Sequence, residues 1–127
     1  MAVTGLANLA VKVIDLEEAC AWYKAAGASV TEPVAWENGR RADVKLGALD
    51  LTLFTRAIYE DACALPDECF LHPALFVDDL DAELERHDVL WGPRTVSGAF
   101  GTRRIAFVEA PGAIRLEFME QLQEPPG

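Results

Sequence analysis

Residues 8–18, NLAVKVIDLEE, recur 64 positions further on as residues 72–82, HPALFVDDLDA, and this echo decides the fold. Asp15-Leu16 falls on Asp79-Leu80. Residues 47–54, GALDLTLF, recur as residues 112–119, GAIRLEFM, at a spacing of 65, so the second copy carries one extra residue in its middle. Two segments repeated at almost one spacing mark a duplicated unit.

Each copy opens on a short apolar strand, Leu9 to Val13 and Ala74 to Val77, and runs into an Asp-Leu-acid segment. Asp15 and Asp79 are the expected helix N-caps, with acids in the first turn where the helix dipole favours them. Helices are predicted over Leu16 to Ala26 and Leu80 to His87. Ala19, Trp22 and Tyr23 form the expected apolar face of the first, and Gly27 its stop. Three strands follow in each copy. In the first they are predicted at Ser29 to Trp36, Arg41 to Leu46 and Leu49 to Phe54. In the second they are predicted at Gly92 to Val96, Arg103 to Val108 and Ile114 to Met119. Asn38-Gly39 is expected to turn the first hairpin and Pro111-Gly112 the last. The fold class is therefore α+β: one domain over residues 1–127, made of two β-α-β-β-β modules, 5–55 and 70–120. Residues 56–69 join them, and the tail 123–127 is expected to fray.

Strand alternation assigns side chains to faces. Leu9, Val11, Val13, Leu51 and Leu53 are expected under the first helix, and Leu116 and Phe118 under the second. Asn8, Ala10, Lys12, Thr52 and Phe54 then face the other way, as do His72, Ala74, Phe76, Arg115 and Glu117. The repeat thus puts Asn8 and Thr52 of one copy in the places of His72 and Glu117 of the other. If the two sheets face each other, all four converge on a small-molecule pocket.

The chain is 51% hydrophobic with three tryptophans, enough for a packed core. A formal net charge of −10 repels phosphate backbones, which argues against nucleic acid and favours cationic ligands. No apolar run has the length of a membrane span, and the N-terminus lacks a secretory pattern, so a cytoplasmic protein is expected. Three cysteines without CxxC spacing argue against a disulfide framework or zinc knuckle. Cys20 is expected in the core.

The segments NLAVKVIDLEEA, HPALFVDDLDAEL, GALDLTLF and GTRRIAFVEAPGAIRLEF resemble the vicinal oxygen chelate superfamily, over about residues 5 to 120. That group includes glyoxalase I, bleomycin-resistance proteins, fosfomycin-resistance enzymes, methylmalonyl-CoA epimerase and extradiol dioxygenases. The resemblance implies paired curved mixed sheets around a cavity, and a homodimer. In metal-dependent members four strand positions hold one divalent ion. Carried over, they fall on Asn8, Thr52, His72 and Glu117. His72 and Glu117 keep good ligand types; an amide and a threonine hydroxyl do not.

Two readings follow. In the first, the chain binds without cofactor, like the bleomycin-resistance type. It sequesters an antibiotic or another hydrophobic or cationic metabolite in a dimer-interface cavity. Asn8, Thr52, Trp36, Phe54, Tyr59, Trp91 and Phe100 are the candidate ligand contacts, with Arg41 and Arg103 for an acidic group. In the second it is an enzyme: a lyase, isomerase or dioxygenase. His72 and Glu117 act there either as an acid–base pair or, with Asn8, as ligands of one divalent metal.

Overall fold

A computed structural model describes residues 3–126, and in it Asp15 and Asp79 cap their helices as expected. The Asp15 carboxylate accepts from the Glu18 N–H at 3.0 Å and that of Asp79 from the Ala82 N–H at 3.1 Å. The chain divides into two compact units: residues 8–71, and residues 72–126 together with 3–7. Strand β1 (Val3–Lys12) runs across that division.

In the first unit, β1 from Asn8 onward is followed by α1 (Leu16–Ala25), β2 (Ser29–Val30), β3 (Val34–Trp36), β4 (Gly39–Leu46) and β5 (Leu49–Phe54). β1 lies parallel to β5, β5 antiparallel to β4, and both β2 and β3 pair with β4. Where one strand was expected over residues 29–36, two short ones stand on either side of Pro33, which has no N–H for a ladder. The hairpin between β3 and β4 also differs from expectation. Trp36 pairs with Gly39, so Glu37-Asn38 is the turn and Glu37 takes φ 52°. Gly39 is needed for another reason: a Cβ there would lie 2.7 Å from Thr55 Oγ1 and 3.1 Å from Arg56 Cβ.

The core of this unit packs Leu16 and Cys20 of α1 against Val13, Ala42, Val44, Leu51 and Leu53. Trp22 is not part of it; it is 66% exposed. The helix advances about 100° per residue, so Trp22 sits about 200° round from Cys20, away from the sheet. Leu9, Val11, Ala19 and Tyr23 pack against the cluster as expected.

In the second unit, β6 (Cys69–Val77, from His72) leads to α2 (Leu80–Leu84), β7 (Val89–Gly98), β8 (Gly101–Ala110) and β9 (Ile114–Gln123). β6 lies parallel to β9, β9 antiparallel to β8, and β8 antiparallel to β7. This is the pairing order of the first unit repeated. Helix α2 is one turn shorter than expected, because its apolar face ends at Leu84 and Glu85-Arg86-His87-Asp88 is polar throughout. Val77, Leu80, Ala106, Val108 and Phe118 form the helix-side core, with Leu75, Leu84 and Leu116 against it. The strands run past their expected ends because hairpin pairing continues to Gly98 opposite Gly101 and Ala110 opposite Ile114. No helix among the described residues is long and apolar enough to cross a membrane.

Candidate functional site

Both copies place one contact on the sheet face turned away from the helix. In the second unit Ala74 of β6 stands opposite Glu117 of β9, and His72 lies two residues earlier on the same face. His72 Nε2 meets Glu117 Oε1 at 3.0 Å. In the first unit Ala10 of β1 stands opposite Thr52 of β5, and Asn8 lies two residues earlier. Asn8 Nδ2 donates to Thr52 Oγ1 at 2.5 Å. Duplication has preserved the contact and exchanged its chemistry.

The His72 imidazole is 4% exposed. Phe107, opposite Glu117 on β8, presents its ring edge-on to the imidazole at 4.8 Å. Trp91 also meets Phe107 edge to face, 5.7 Å between centroids. The imidazole is thus held by a carboxylate and a phenyl ring, which together select its rotamer. A carboxylate only accepts, so Nε2 carries the shared hydrogen.

In the first unit the polar chain is longer. Thr52, fully buried, donates its hydroxyl hydrogen to Asp43 Oδ1 at 3.0 Å. Arg41 donates to the same oxygen at 2.9 Å. A hydroxyl has one hydrogen, so with that hydrogen on Asp43 the Thr52 oxygen accepts from Asn8. This fixes the Asn8 amide: its NH2 group faces Thr52 and its carbonyl oxygen faces the other way. Asp43 and Phe107 were not singled out from the sequence. The signal that finds them is cross-strand register, Asp43 opposite Thr52 and Phe107 opposite Glu117.

Arg41 lies over Trp36 at 5.1 Å and over Phe54 at 5.3 Å. Arg103 donates Nε to Gln121 Oε1 at 2.6 Å and lies against Phe100 at 4.5 Å and Phe76 at 5.2 Å. Tyr59 is 2% exposed and belongs to the core, so the expectation of an open stacking ring there is corrected. Lys45 pairs with Asp50. His87 contacts Glu83 at 2.8 Å and its ring lies 5.2 Å from Phe118.

The resemblance implies a divalent metal held by these donors. The four positions hold one imidazole, one carboxylate, one amide and one threonine hydroxyl whose hydrogen is committed to Asp43. Catalytic sites of this kind rest on about three strong donors and an open position. Among the described residues no group of three His, Cys, Asp or Glu side chains gathers to supply them. The donor set fits a divalent ion poorly.

The fold is α+β, with few helices and two β-α-β-β-β units, and it matches the fold of glyoxalase-type structures. Among similar structures is methylmalonyl-CoA epimerase from Mycobacterium tuberculosis, 21% identical with a TM-score of 0.71, covering 94% of this chain and 89% of that one. A methylmalonyl-CoA epimerase in complex with methylmalonyl-CoA and NH4+ is 24% identical at a TM-score of 0.71, covering 98% and 99%. The 2,2',3-trihydroxybiphenyl 1,2-dioxygenase of Sphingomonas wittichii is 17% identical at 0.63, covering 97% of this chain and 44% of the dioxygenase. No protein-family model matches the chain, and no curated protein does.

Proposed function

We propose that this chain is an enzyme acting on a small molecule, with His72 and Glu117 as its acid–base pair. The 3.0 Å contact between the buried imidazole and the carboxylate carries the reading. The reaction is of the isomerase or lyase kind, at a carbon beside a carbonyl. The His72 imidazole takes the proton from that carbon, and the bonding electrons pass to the carbonyl oxygen as an enolate. Glu117 holds the Nε2–H and stabilises the imidazolium, as an orienting carboxylate does elsewhere. The proton then returns to carbon. The structural likeness to methylmalonyl-CoA epimerases supports this chemistry over antibiotic sequestration. So does the engagement of Trp36, Phe54 and Phe100 by arginines. The protein acts as a homodimer in this reading, as the fold's resemblance implies.

The test is hydrogen exchange at C2 of methylmalonyl-CoA in D2O, followed by NMR. Deuterium incorporation is expected, falling about 100-fold or more in His72→Gln and in Glu117→Gln. His87→Gln should leave the rate unchanged. Absence of exchange with this probe and with a panel of 2-oxo acids would sink the proposal.

A further inference from the structure

A second feature of the first unit lies on its helix side and takes no part in the acid–base chemistry. The start of α1, the residues before it and Glu68 enclose an open cleft of about 500 Å³. Its apolar floor includes Ile14 and Trp22, which are 68% and 66% exposed. Exposure of this size is unusual for a tryptophan, which buries most of its area when it has a core to enter. Tyr23 meets the Trp22 ring edge-on at 5.1 Å and steadies it from one side.

The rim of the cleft carries Asp15, Glu18 and Glu68, and among the described residues no basic side chain lines it. Two of these carboxylates are pinned by the backbone. Asp15 accepts from the Glu18 N–H and Glu68 Oε2 from the Ile14 N–H, each at 3.0 Å. Their charges therefore stand at fixed points around the indole instead of swinging into solvent.

We propose that this cleft docks a basic segment of a protein partner. An apolar side chain of that segment would cover Ile14 and Trp22, and its arginines or lysines would meet Asp15, Glu18 and Glu68. Charge complementarity selects the occupant. A second copy of a chain with net charge −10 would bring the same three acids against themselves, whereas a basic segment neutralises them. An exposed indole face also attracts guanidinium and ammonium groups directly. The inference is independent of the His72–Glu117 reading and survives its failure.

The experiment uses the full chain and two blocked hexapeptides, one alternating arginine with leucine and one alternating glutamate with leucine. The indole N–H signals of Trp22, Trp36 and Trp91 are followed by 1H–15N NMR. The arginine peptide should shift the Trp22 signal saturably, and the glutamate peptide should leave it in place. Affinity should fall about tenfold or more in Trp22→Ala and in Glu18→Lys, and should drop as salt rises from about 50 to about 500 mM. Both positions are exposed, so an unchanged thermal midpoint is expected in each variant. Shifts confined to Trp36 or Trp91, equal affinity in the variants, or self-association of the wild type through Trp22 would each overturn the proposal.

Discussion

Asn8 and His72 occupy one place in two copies, yet the first ends a fixed hydrogen-bond chain and the second stands against a carboxylate. The difference comes from the partner across the ladder. Thr52 and Asp43 accept hydrogens in order, so Asn8 has a single allowed orientation, while Glu117 accepts the Nε2 hydrogen of His72. Thr52→Val keeps the volume and removes the hydroxyl. It leaves the Asn8 amide and one contact of Asp43 unsatisfied beside a fully buried position. We expect a loss of about 1–3 kcal/mol by urea denaturation, with most of it regained in Thr52→Ser. Strand alternation alone was enough to put His72 and Glu117 on one face. It was not enough to find Asp43, since alternation along a strand says nothing of which residue stands opposite.

At the scale of elements, the turn after α2 is held by side chains. Glu83, 4% exposed, accepts from Arg86 at 2.7 Å and contacts His87 at 2.8 Å. The Arg86 hydrogen bond holds its carboxyl below the usual carboxylate range; burial opposes this, and His87 adds to it. The folded value is therefore the depressed one. Its stabilisation is present above the unfolded carboxylate value, about 4.3, and is lost as pH falls through the folded value. Between about pH 5 and pH 3 the thermal midpoint should drop more steeply in wild type than in Glu83→Gln. A strict backbone requirement lies at the start of β8. Gly101 has φ 96°, and a Cβ there would lie 2.2 Å from the Gln123 carbonyl oxygen. Gly101→Ala is expected to cost about 2 kcal/mol or more, read as a lowered thermal midpoint. Helix starts were legible from Asp15 and Asp79 because capping is local chemistry. The end of α2 was not, since His87 looks like a last-turn cation but follows a polar stretch with nothing to pack.

At the scale of the whole molecule, the duplicated order shows in the pairing of each unit: parallel first and last strands, then two antiparallel steps outward. Two predictions belong here. Light scattering should give twice the chain mass; a monomer in dilute solution would count against the homodimer. Elemental analysis of the purified protein should find less than one equivalent of zinc, nickel, manganese or iron, because amide and threonine oxygens are poor substitutes for imidazole and carboxylate. A stoichiometric metal would redirect the enzyme reading from an acid–base pair to a metal site.

By itself, the sequence determined the repeated β-α-β-β-β order, the helix caps and the face each strand residue takes. Those follow from periodicity and neighbours a few positions away. Only the tertiary structure decided that the residues 8 and 52, and 72 and 117, touch within their own copies. The echo of residues 8–18 in 72–82 made the two pairs equivalent. Register between strands and the rotamers chosen by packing made one a sealed hydrogen-bond chain and the other an imidazole–carboxylate pair.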